Sequence, residues 1–203
     1  MYKVGDYLMH ESSGVCQVKE ISEQALMGKG SERLYYNLEP VFQKGSQIMT
    51  PVDSKARIRD VKSAEEIQAL LEQLPSLEVV GVENNRQRTE KFKEIISEFT
   101  PGALAVVVKS VYLHQEQRLA AGKKAMSSDE RVMEVASRRL FEEMAFVLDQ
   151  TLDEVKDTFF EMLEEERTQS VAKGLGIKAA KAAGVASKAA AAKPSAMRIR
   201  KAS

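Results

Sequence analysis

KVGDYLMHESSGVCQV, residues 3–18, and LYYNLEPVFQKGSQIMTPVD, residues 34–53, decide the fold. In both stretches short apolar or aromatic runs are broken by turn chemistry. Val4, Tyr7, Leu8, Val15, Val18 and Ile21 are interrupted by Gly5-Asp6 and Ser12-Ser13-Gly14, residue types that supply positive φ and local side-chain hydrogen bonds. Gly28-Lys29-Gly30-Ser31 closes a hairpin, because a glycine on each side of Lys29 permits positive φ. It is not a phosphate loop: the Walker pattern puts a glycine five residues ahead of its Gly-Lys pair, and Glu23 stands there. Strands over residues 34–38 and 47–52 then complete a small, twisted, barrel-like sheet. Pro40 and Pro51 fall at the ends of these runs, where a missing backbone donor costs least.

Beyond residue 60 the pattern turns helical. Ser63 and Glu66 form a capping box ahead of Ile67, Leu70, Leu71 and Leu74, a one-sided stripe that stops at Pro75. Phe92, Ile95, Ile96 and Phe99 mark a second helix. Thr100-Pro101 restarts the chain as N-cap and first-turn proline, and Leu104, Val107, Val108 and Val111 repeat the spacing. A fourth helix starts at Ser127, boxed by Glu130, and buries Ala136, Leu140, Met144 and Val147. A fifth starts at Thr151, boxed by Glu154, and buries Val155, Phe159, Met162 and Leu163. Stripes at this spacing are core. The fold class is α+β, with a small twisted β-sheet domain over residues 1–60 and a helical domain over residues 61–170.

The chain has 203 residues, with 30 basic and 30 acidic side chains, and the zero formal charge conceals an asymmetry. Residues 171–203 hold eight basic residues and no acidic one, so residues 1–170 carry 22 basic against 30 acidic. This alanine-rich tail is broken by Gly174, Gly176, Gly184 and Pro194 and lacks large apolar residues for a core, which describes a disordered basic segment. Attraction to phosphates and a merely solvated terminus fit it equally. No apolar run approaches membrane-spanning length and no signal peptide is expected, so the expected compartment is the cytoplasm, in association with the nucleoid. The lone Cys16 reads as a small buried strand residue. His10 and His114 are the only histidines, and no paired-cysteine, His-Glu-x-x-His or nucleophile-elbow motif is present. Glu142-Glu143 and Glu164-Glu165-Glu166 read as solvated helix faces. No enzyme, metal site or cofactor is expected.

The Gly-Asp opening, the Ser-Gly-Val turn, the Tyr-Tyr strand and the closing Pro-Val-Asp resemble, in order, the amino-terminal module of the CarD/CdnL family. These are bacterial transcription regulators that dock on RNA polymerase and stabilise the open promoter complex. Arg88 with Phe92-Lys93-Glu94-Ile95-Ile96, then residues 105–109, Met126-Ser127 and Glu143-Met144-Ala145, resemble the family's DNA-binding helices more loosely. The β module also resembles the polymerase-interaction domain of the transcription-repair coupling factor, although the chain has no helicase motor.

The resemblance implies that the β module adds an exposed strand edge to the polymerase β subunit, and the matching edge is Gln47-Ile48-Met49-Thr50 with Pro51. Gln24 and Met49 stand where the family is often basic. A proline at Ile48 is expected to remove a backbone donor from that edge, and the module is expected to fold without the helices. The family's wedge tryptophan has no counterpart, since the chain contains no Trp. Asn84-Asn85 stand in its place, followed by Arg86 and Arg88; without the resemblance the pair is an ordinary helix N-cap. The connector over residues 114–125 is longer than the family's and sets Arg118, Lys123 and Lys124 ahead of Arg131, which suits a phosphate contact or a solvated loop equally. Contact with promoter DNA is expected to be weak and insensitive to sequence, and the protein to be a monomer. A polymerase-anchoring module that never engages DNA is the alternative.

Overall fold

A computed structural model describes residues 1–25, 32–53, 58–81 and 84–174. The Gly28–Ser31 turn and the basic tail beyond residue 174 lie outside these. Five strands, β1 (Tyr7–His10), β2 (Gly14–Gln24), β3 (Arg33–Pro40), β4 (Ile48–Pro51) and β5 (Ile58–Asp60), form one antiparallel sheet in the order β4-β3-β2-β1-β5. Five helices follow: α1 (Ala64–Gln73), α2 (Asn85–Ser97), α3 (Pro101–Ala120), α4 (Ser127–Leu148) and α5 (Leu152–Gly174). The α+β class is therefore as the sequence indicates.

The sheet is strongly curled. In a flat sheet β1 and β4, separated by two strands, would lie about 14 Å apart. Yet His10 Nε2 on β1 sits 3.3 Å from Thr50 Oγ1 on β4. Leu8, Cys16, Val18, Tyr36 and Leu38 fill the concave side. Burial, with a smaller contribution from Glu142, pushes the Cys16 thiol up to about 12, which suits an inert core residue. Both β3 and β4 end on a proline, as expected. The three-residue strand β5, paired with β1, is an addition to the strands read from sequence.

The helical stripes pack as their spacing requires, with Ile67, Leu71, Phe92, Leu104, Val108, Leu140, Met144, Val155, Phe159 and Leu163 in one core. Helix α3 is central, buried at Leu104, Ala105, Val107, Val108 and Val111 and so on more than one face. Its Lys109 is buried too, and its ammonium donates to Leu74 O, Pro75 O and Glu166 Oε1, each at 2.9 Å. It thereby ties α3 to the turn that follows α1, where Leu74 O also accepts from Leu77 N–H at 3.3 Å. The Ser63–Glu66 box, the Thr100 cap with Pro101 and the Thr151–Glu154 box all form. The Ser127–Glu130 box does not: α4 begins one residue early with Met126 as N-cap, its first-turn Asp129 drawn inward by Arg88 and His114.

The β module and the helices share a core. Met9 and Val15 are fully buried in a cluster with Phe99, against which Phe146, Tyr7 and Val41 pack. An isolated fragment of residues 1–60 would expose Met9 and Val15, so the module is not self-contained in the way its sequence suggests.

Candidate functional site

Among the described residues β4 pairs only with β3 and forms one edge of the sheet. The bond from Val52 N–H to Leu34 O sets the alternation along this pair. With Tyr36 opposite Thr50 and Leu38 opposite Ile48, those pairs exchange ladder bonds, whereas Met49 and Pro51 turn their backbone groups away from β3. Pro51 occupies a position where its missing N–H faces outward, consistent with this phase. Met49 therefore carries the outward N–H and C=O, and its side chain is 41% exposed. The expectation that a proline at Ile48 would disarm the edge is corrected: the Ile48 N–H points into the protein's own sheet.

Thr50 is buried and braces β4 from inside through His10, whose Nδ1 faces Ser12 Oγ at 3.1 Å. Burial lowers the pKa of His10, so the ring stays neutral at physiological pH. Gln47 is exposed one residue before β4, and Ile48 faces the sheet interior. Gln24 lies on β2, behind β3, with Nε2 donating to Ser22 Oγ at 3.2 Å. The structure thus gathers residues 47–51 at the edge and leaves Gln24 apart.

Asn84, Asn85 and Arg86 are exposed at the start of α2. Asn84 Oδ1 accepts from the backbone N–H of Arg86 at 2.9 Å and of Gln87 at 3.3 Å, which is the ordinary N-cap geometry. Arg88, expected to face DNA, is instead 3% exposed. Its Nη2 donates to both oxygens of buried Asp129 at 3.0 and 3.2 Å, and Nη1 lies 3.2 Å from His114 Nε2. His114 Nδ1 lies 2.7 Å from Asp129 Oδ2. Arg88 is withdrawn from the surface into an ion pair that bridges α2, α3 and α4 beside their shared core.

The joint brings the other candidates to one end of the bundle. Asn85 lies three residues from Arg88, and Arg118 four from His114, so each stands about one helical turn from the same contact. Arg118 Nε donates to Lys124 O at 2.9 Å and folds the connector back on α3. Lys123, Lys124 and Arg131 are exposed. Asn84, Asn85, Arg86, Lys123, Lys124 and Arg131 thus form a cation-rich end, with Arg118 half-buried beneath it.

A second joint, between sheet and helices, escaped the sequence. Arg59 on β5 makes a bidentate pair with Glu143 on α4, both bonds 2.6 Å, and Glu143 also accepts from Lys62 N–H at 3.0 Å. Arg59 Nε donates to Phe99 O at 2.6 Å, and the guanidinium lies 4.8 Å above the Phe99 ring. Phe99 takes a left-handed φ of 57°, a strained choice for an aromatic residue that these contacts offset. Glu142 is buried as well, lying over Gly14 at a φ of 70° where a Cβ would meet its carboxylate and force it to shift, and burial raises its pKa. The reading of Glu142-Glu143 as a solvated face is corrected: the β1–β2 hairpin covers that side of α4, with Arg138 donating to Ser12 O.

Among the described residues no cluster of three His, Cys, Asp or Glu side chains is placed to hold a metal ion, and no helix is long and apolar enough to cross a membrane. No curated protein matches the chain significantly. Residues 2–62 match the family described as the CarD-like/TRCF RID domain, an interaction-domain class with an RNA-polymerase-interacting, transcription-associated role. The matched segment runs from just ahead of β1 to the residue before the α1 cap, and so spans the sheet with its free β4 edge. The amino-terminal sheet, over residues 2–62, is accordingly similar to the CarD-like/TRCF RID domain, and the match does not extend into the helices.

Proposed function

We propose that the protein docks on the RNA polymerase β subunit by pairing the free edge of β4 with a strand of the polymerase. From there it presents the start of α2 and the α3–α4 connector to promoter DNA at the upstream edge of the transcription bubble, modulating open-complex stability. The observation that carries this reading is the outward-turned backbone of Met49 on the edge of an RID domain. Backbone pairing tolerates side-chain change, which accommodates an edge without basic residues.

In this reading residues 1–60 dock and residues 61–170 face DNA, in a monomer acting at the nucleoid. The Arg59–Glu143 clamp and the shared Met9–Val15–Phe99 core tie the docking strand's sheet to the helices. Docking therefore also sets where the cationic end of the bundle lands. Its intrinsic affinity for DNA is low, since residues 1–170 are acidic overall and Arg88 is spent internally. Polymerase binding supplies the effective concentration that affinity lacks.

The test is the lifetime of open complexes formed by the cognate polymerase with and without the full-length protein. A changed lifetime, abolished by Met49→Pro, is the expected result. An unchanged lifetime despite polymerase binding would favour the anchoring module that does not engage DNA.

A further inference from the structure

Strand β4 is held to the sheet by little. It is four residues long, it pairs on one side only among the described residues, and Pro51 gives it no backbone donor. Its ladder to β3 rests on the Ile48 and Thr50 pairs, with Val52 N–H reaching Leu34 O at 2.8 Å just beyond them. Strand addition needs this edge extended and in place before a partner arrives, because any ordering left to the encounter is subtracted from the affinity.

A second hold comes from across the curl. His10 lies on β1, separated from β4 by β2 and β3, and its backbone is fixed on both sides, opposite Gly14 of β2 and Ile58 of β5. The hairpin that carries it rests on α4, where Arg138 Nη2 donates to Ser12 O at 3.1 Å. From that support the ring reaches Thr50, with Nε2 3.3 Å from Thr50 Oγ1 and Nδ1 3.1 Å from Ser12 Oγ. Each ring nitrogen thus meets a hydroxyl that can donate or accept, so either neutral tautomer is satisfied. His10 and Thr50 are both buried, which shields their contact from water. Thr50 adjoins Met49, whose backbone N–H and C=O face outward, so what fixes Thr50 also fixes the direction of those groups.

We propose that His10 is a positioning residue for polymerase docking: through Thr50 it holds β4 in the conformation that a partner strand can pair with. The proposal rests on the docking edge argued above, and adds that this edge is preorganised from β1 as well as by its own ladder.

The experiment titrates full-length variants against the polymerase β subunit, with urea unfolding of each to give its folded fraction. Thr50→Val keeps the shape of the side chain and removes its hydroxyl, and should weaken docking about five-fold, the worth of one net hydrogen bond. Thr50→Ser restores the hydroxyl in a smaller side chain and should recover binding to within about two-fold of the parent. Packing alone would rank the two in the opposite order, since serine leaves space that valine fills. In a His10→Ala background Thr50→Val should bring no further loss, because the contact is already gone. If folded Thr50→Val binds as the parent does while Met49→Pro weakens binding, the role of His10 is overturned and the docking edge stands. A Thr50→Val loss that matches its unfolded fraction, or a Thr50→Ser protein that binds no better than Thr50→Val, overturns it equally. If Met49→Pro also binds as the parent does, docking lies elsewhere and both fall.

Discussion

Met49→Pro separates docking from folding. The Met49 N–H faces away from β3, so a proline there removes no ladder bond and should cost the fold under about 1 kcal/mol, chiefly in lost strand fit. At the interface it removes one backbone bond, about 1 kcal/mol net, and strands the partner's carbonyl, another ~1–2 kcal/mol. Together these predict polymerase binding weaker by about 30- to 150-fold. Ile48→Pro is the contrasting variant, because its N–H bonds Leu38 within the sheet, and it should destabilise the protein itself. Titration of full-length variants against polymerase, alongside urea unfolding, reads both quantities. A folded Met49→Pro protein that binds within two-fold of the parent would refute pairing at this edge.

Arg59→Ala should lower stability by about 3–5 kcal/mol in urea unfolding, because Glu143, fully buried, loses its bidentate partner. Glu142 carries the opposite sign from a paired carboxylate. Burial raises its pKa, so the folded state holds a proton that the unfolded chain has lost; its contribution is present below the ordinary carboxylate value and disappears as pH rises through the folded one. Glu142→Gln should flatten that decline and leave the protein more stable at neutral pH, as pH-dependent unfolding would show. Gly14→Ala should cost at least about 2 kcal/mol, from the left-handed φ and the clash with Glu142. Glu142→Ala in the same chain should relieve the clash but not the φ penalty, so thermal unfolding of the double variant should reveal coupling between the two sites.

The helices were legible because each start is written locally: Ser63–Glu66, Thr100-Pro101 and Thr151–Glu154 are caps whose partners lie within three residues. Ser127 failed as a cap because Asp129 answers to Arg88, forty-one residues earlier. Strand β5 is three residues long and meets its partner β1 some fifty residues back, so no local alternation announces it. Glu142 and Glu143 looked solvated because the period of α4 reports one stripe, and the second buried face exists only once the β hairpin has docked. The edge strand itself could be read from the family resemblance. Which of its residues turns its N–H outward could not, since side-chain alternation does not encode the hydrogen-bond phase of the ladder.

Residue-resolved amide exchange on β4, with and without saturating polymerase β subunit, tests the docking edge most directly. In the free protein the Ile48 and Thr50 amides should exchange slowly through their ladder bonds to β3, and Met49 should exchange fast. Binding should slow Met49 specifically, because its N–H gains a strand partner. A saturated complex in which Met49 still exchanges at its free rate would contradict the account.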